Sequence, residues 1–150
     1  MQRSFTYNQF IDYFVLFMVY VAYESLSSIY LFLPPLLSII LWYMIKYIRS
    51  DNLVGMIFIS LLVIIYEVDK GYILFSVLIY FVIVIYFILP KLEQFIICKS
   101  CIRFVIVLLA YVGLYVFSLI FAQAFWLDVP AISATVLYYI LVEFFIVSLL

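Results

Sequence analysis

Six stretches of this chain each run with at most one charged residue: Gln9 to Tyr23, Ile29 to Ile48, Leu53 to Tyr66, Tyr72 to Leu89, Phe104 to Leu127 and Ala131 to Leu150. A helix needs about 20 mostly apolar residues to cross a hydrocarbon layer roughly 30 Å thick. Several of these runs approach or exceed that length. None alternates apolar with polar residues, as the strands of a membrane barrel do. Ile, Val, Phe and Tyr would favour strands in water, but unbroken runs of this kind predict helices in lipid. The rest of the composition leaves no other solvent open. The chain is 72% apolar and 10% charged with a mean hydropathy of +1.42, whereas soluble domains average about 45–50% apolar and about 25% charged. The expected fold is therefore all-α: one polytopic membrane domain over residues 1–150 with six transmembrane helices.

Orientation follows from Lys91 to Arg103, read as KLEQFIICKSCIR, the longest polar connection expected in the chain. A basic connection between two spans belongs on the cytoplasmic side. With six spans, Arg3, Lys46, Arg49, Lys91, Lys99 and Arg103 fall on that side with both termini, and Lys70 alone falls outside. Five spans, with one short segment failing to cross, would put the termini on opposite sides. The outer connections are read as Glu24 to Ser28, Glu67 to Gly71 and Asp128-Val129-Pro130. Gly71 is placed to take the positive φ that ends a helix, and Pro130 to start one. Pro34-Pro35 predicts either a kink or a helix beginning at Pro34 after an extended interfacial segment. Pro90 is expected to close the fourth span. Ala22-Tyr23-Glu24 is a poor cleavage pattern, so the first run is expected to stay as a helix.

Glu143 is the most informative position. It lies about thirteen residues, roughly 20 Å, beyond Pro130. A carboxylate at that depth must face protein, water or a partner. It is expected to be protonated or paired with a basic group such as Arg103 or Lys46. Its functional reading is a proton or cation site, and its structural reading is an ion pair or an assembly contact. Asp12 and Gln123 are further intramembrane polar candidates. Lys46, Arg49, Lys91, Lys99 and Arg103 are candidates for facing a cytoplasmic partner. Gly55, Ala110 and Gly113 permit close helix packing. The central tyrosines Tyr20, Tyr111, Tyr115, Tyr138 and Tyr139 need partners for their hydroxyls.

Several function classes are disfavoured. A net charge of −1 gives no basic field for nucleic acid. Histidine is absent, and Cys98-Lys99-Ser100-Cys101 is the only cysteine pair, with nothing to complete a metal centre. No nucleotide loop or nucleophile–base–acid set is present. No cofactor, no metal and no enzymatic activity are expected.

The full-length pattern resembles the rod-shape-determining protein MreD family. The resemblance rests on close-set spans with internal termini, the apolar segment with Pro34-Pro35, the basic connection Lys46 to Asn52, Gly55 opening the third span, and the acidic turn with Gly71. The third span departs from that family, since Ile59-Ser60-Leu61-Leu62-Val63-Ile64-Ile65 carries neither a second glycine nor an aspartate. The resemblance implies a fold similar to the substrate-binding subunits of energy-coupling-factor vitamin transporters. It also implies partnership with MreC and, through the complex, with RodA, penicillin-binding protein 2 and MreB. The expected function is a non-enzymatic scaffold of cell elongation and peptidoglycan synthesis in the bacterial inner membrane. The competing readings are a small-solute binding or transport protein, with the central tyrosines, Gln123 and Glu143 around a pocket, and an accessory subunit of another membrane complex.

Overall fold

The computed structural model describes residues 2–30, 32–125 and 135–149, and every regular element among them is helical. The helices are α1 (Gln2–Ile29), α2 (Leu37–Arg49), α3 (Leu53–Lys70), α4 (Ser76–Phe95), α5 (residues 99–125) and α6 (Thr135–Leu149). Three of them, α1, α4 and α5, contain stretches long and apolar enough to cross a bilayer: Phe10–Ile29, Ser76–Phe95 and Ser100–Ala124. The expected turn Asp128-Val129-Pro130, with Trp126, Ala131 and Ala134, lies outside the described residues.

Several boundaries differ from those expected, each for a local reason. Glu24 to Ser28 is not a turn. It is the last part of α1, which runs on to Ile29. Pro34 does not open α2 either. The helix begins at Leu37, behind Leu36 in the left-handed region at φ 53°. The proline carbonyls are taken up by α1, with the Tyr20 hydroxyl donating to Pro35 O at 3.3 Å and the Tyr23 hydroxyl to Pro34 O at 2.8 Å. Glu67 to Lys70 forms the last turn of α3, and Gly71 ends it at φ 71°, as its lack of a Cβ allows.

Pro90 does not close its helix. A proline inside an α-helix meets the carbonyl four residues earlier. Here a π-helical turn, Val84–Ile88, ends two residues before it, and the Leu89 N–H bonds to Val84 O. That wider turn lets α4 continue to Phe95. The expected long connection from Lys91 to Arg103 thus shrinks to residues 96–98.

The most enclosed element is α2. Its Leu37, Ser38, Ile40, Leu41, Met44 and Ile45 are buried, and it packs against α3, α5 and α6. Around it the core is filled by Leu62 and Val63 of α3, Val77 and Phe81 of α4, Val107 of α5 and Val147 of α6. The opposite case is α1, which meets α3 through Phe10, Tyr13 and Phe17 around Phe58. Its other face leaves Phe14, Val15, Met18 and Val19 exposed. Asn52 caps α3 by accepting from the Gly55 N–H at 3.1 Å, and its amide donates to the Tyr13 hydroxyl at 2.7 Å.

Both small-residue positions in these packings sit beneath a tyrosine. A Cβ on Gly55 would lie 2.8 Å from the Tyr47 ring. A Cβ on Gly113 would occupy the place of the Tyr80 hydroxyl, which donates to Leu109 O at 2.7 Å across the π-helical turn Leu109–Gly113 of α5. Gly113→Ala is therefore expected to cost about 1–3 kcal/mol, the usual penalty for overpacking. Adding Tyr80→Phe should return part of that loss in a thermal unfolding assay. A Gly113→Ala protein as stable as the parent would show that the two helices do not approach this closely.

Candidate functional site

The first turns of α2 and α4 share an unusual problem. Each is preceded by an apolar residue in left-handed geometry, Leu36 at φ 53° and Phe75 at φ 69°, and neither side chain can cap the helix. The free N–H groups of a helix start need acceptors. When these groups are buried, leaving them unpaired is costly.

Two glutamates from other helices supply those acceptors. Glu143 of α6 is fully buried and accepts from the Leu37 N–H at 3.2 Å and the Ser38 N–H at 2.8 Å. The Ser38 and Tyr111 hydroxyls close onto the same carboxylate. Glu67 of α3 is likewise fully buried and accepts from the Phe75, Val77 and Leu78 N–H groups at 2.7, 2.6 and 3.2 Å. Each carboxylate lies in a concave set of backbone N–H groups at the positive end of a helix dipole. The expected pairing of Glu143 with Arg103 or Lys46 is therefore replaced by a helix start and two hydroxyls.

A third glutamate behaves differently. Glu24 of α1 is 2% exposed, and both of its carboxylate oxygens are buried without a hydrogen-bond donor. Its one cationic neighbour among the described residues is Lys70 Nζ, 3.4 Å from Oε1. Lys70 also approaches Asp69 at 3.0 Å, and Asp69 accepts from the Ser28 hydroxyl at 2.6 Å. This hydrogen bond holds the Asp69 carboxyl below its usual range. The group ties the ends of α1 and α3 together.

The remaining candidates separate from this centre. Asp12 and Gln123 are both exposed. Ala110 is buried in the π-helical turn of α5. Lys46, Arg49 and Arg103 gather at the other end of the bundle, where Arg49 pairs with Glu93. There Arg103 donates to Ser148 O at 2.8 Å and lies 5.9 Å from the Trp42 ring centroid. Lys91 is exposed on the last turns of α4, and Lys99 opens α5. Cys98 and Cys101 are free and exposed, and no three metal-ligating residues gather among the described residues.

The sequence alone places both Glu24 and Glu67 in turns. The overlooked signal is the helix start itself. Leu36-Leu37-Ser38 and Phe75-Ser76-Val77 begin helices without a capping side chain one position earlier, so an acid must come from elsewhere. No protein-family model matches the chain, and neither a curated protein nor a solved structure shows significant similarity to it.

Proposed function

We propose that this chain is a six-span membrane subunit with both ends on its basic side, and that it acts as a non-enzymatic scaffold for other membrane proteins. The carrying observation is that Glu143 and Glu67, the two carboxylates among the described residues with no exposed surface, are bound by the helix starts of α2 and α4. A carboxylate held by several donors fixes helices in place. It is a poor proton relay, because releasing it strands backbone groups in an apolar interior.

The short helices are compatible with six crossings. At 1.5 Å per residue, α2 spans roughly 20 Å, so residues 32–36 ahead of it have to extend its passage. Irregular backbone is tolerated at membrane depth where protein satisfies it. The Tyr20, Tyr23 and Ser27 hydroxyls do so at Pro35, Pro34 and Leu33. The exposed apolar face of α1, with Phe14, Val15, Met18 and Val19, fits a single-span partner helix.

The resemblance to the MreD family gives these features a setting in cell elongation, with MreC as the direct partner and RodA, penicillin-binding protein 2 and MreB reached through the complex. A second reading, binding of a small solute, is favoured by Glu24, whose buried oxygens have no donor. Gentle-detergent purification of tagged protein, followed by mass spectrometry of what accompanies it, separates the two. Recovery of MreC or cell-wall synthases in fixed ratio is expected for the scaffold. A clean monomer that binds none of them would overturn it and direct attention to Glu24.

A further inference from the structure

A chamber of about 410 Å³ opens between the C-terminal end of α2, the last turns of α4 and the first turns of α5. Among its lining residues Ile45, Leu89 and Ile106 are buried and apolar, and Trp42 lines it beside them. Lys46, Arg49 and Arg103 line it as well, with Glu93 the one carboxylate among the lining residues.

That acid is already committed to Arg49. Lys46 lies over the Tyr43 ring at 5.8 Å. Arg103 is held by a backbone carbonyl and the Trp42 face. Neither of these two is paired with a carboxylate among the described residues. Among the described residues the chamber therefore joins two cations that have no carboxylate partner to a set of buried apolar side chains.

We propose that this chamber binds the phosphate headgroup of an anionic membrane lipid. Lys46 and Arg103 hold the phosphate, and the start of the acyl region rests on Trp42, Ile45, Leu89 and Ile106. The chemistry is specific on both counts. A guanidinium presents a planar fork of donors suited to phosphate oxygens, and Lys adds a point charge. Basic pockets between membrane helices on the cytoplasmic side are suited to such headgroups. A free phosphate ion satisfies the cations and leaves the apolar lining wet, so the amphiphile is the better fit. The inference rests on the membrane reading above, which puts this end of the bundle at the cytoplasmic leaflet.

The test is native mass spectrometry of the intact protein released from nanodiscs of mixed phosphatidylglycerol and phosphatidylcholine. Preferential retention of phosphatidylglycerol is expected. Lys46→Gln and Arg103→Gln should each reduce that preference about fivefold, as expected for loss of one basic group near an anionic surface. Lys91→Gln, an exposed lysine outside the chamber, should leave it unchanged. Ile102→Trp, which fills the chamber without altering a charge, should reduce retention of both lipids and covers the case in which Arg103→Gln fails to fold.

Equal losses in Lys91→Gln and Lys46→Gln would mean surface charge alone and overturn the proposal. So would displacement of the lipid by excess inorganic phosphate without loss from Ile102→Trp, since that describes a simple anion site. Protein that stays soluble without detergent or nanodisc would instead overturn the membrane reading, a result visible before any lipid is counted.

Discussion

Glu143→Leu is expected to destabilise the protein by on the order of 4 kcal/mol, because it strands two buried backbone donors at about 1–3 kcal/mol each and leaves two hydroxyls to find new partners. The stranded groups are the Leu37 and Ser38 N–H at the start of α2, and the hydroxyls belong to Ser38 and Tyr111. The effect should be larger than that of an ordinary core substitution, since α2 packs against α3, α5 and α6 at once. Glu143→Gln keeps the shape and one acceptor oxygen. Its amide nitrogen can donate to a Ser38 or Tyr111 oxygen after that hydroxyl rotates, but it leaves one of the Leu37 and Ser38 N–H groups without an acceptor. Its cost should therefore be that of one stranded donor, about 1–3 kcal/mol.

Thermal unfolding in detergent reads the order directly: parent, then Glu143→Gln, then Glu143→Leu, with the last lowered by roughly 10 °C. A cycle with Tyr111→Phe identifies the cause. Removing that hydroxyl should cost stability in the parent and nothing in the Glu143→Leu background, because its partner is already gone. Glu143→Leu protein that melts with the parent would show that α2 does not depend on this cap.

How much of this was legible in the sequence depends on which residue is asked. Apolar runs predict helices because lipid leaves the backbone no other partner; each helix overlaps one of them, α6 lies wholly inside its run, and α3, α4 and α5 extend past theirs. Gly71 predicted a helix end because only glycine takes that conformation freely, and it does. The local rule for proline misplaced both helix boundaries, at Pro90 for a local reason and at Pro34 for a nonlocal one. A π-helical turn absorbed Pro90, and tyrosines of α1 satisfied the carbonyls of Pro34 and Pro35, which otherwise had to be helical to be paired. Glu143 was visible as costly, though its partners were not, since the donors are backbone groups more than 100 positions away. Glu24 and Glu67 were missed because a charged residue near the end of an apolar run looks solvated. Burial there depends on what the neighbouring helices cover.

Glu24 gives the second large effect, and its sign depends on which partner is removed. Lys70→Met leaves a carboxylate buried with neither a cation nor a hydrogen-bond donor. Breaking a fully buried pair in that way costs about 3–5 kcal/mol. The Lys70 side chain is 27% exposed, so water reaches it, and the expected loss is nearer about 2 kcal/mol. The reverse change should be mild. Glu24→Met leaves Lys70 able to turn towards water and Asp69, which is 3.0 Å away, and it removes the desolvated carboxylate altogether. The double variant should unfold close to the parent, because replacing both members of a buried pair by apolar groups of similar size is often neutral. Asp69→Asn serves as the control for the exposed contact and should shift little. Equal losses from Lys70→Met and Glu24→Met, adding in the double variant, would mean that the two residues stabilise α1 and α3 separately. The non-additive result would identify Glu24 as a carboxylate kept in the interior against its own solvation by one neighbouring cation.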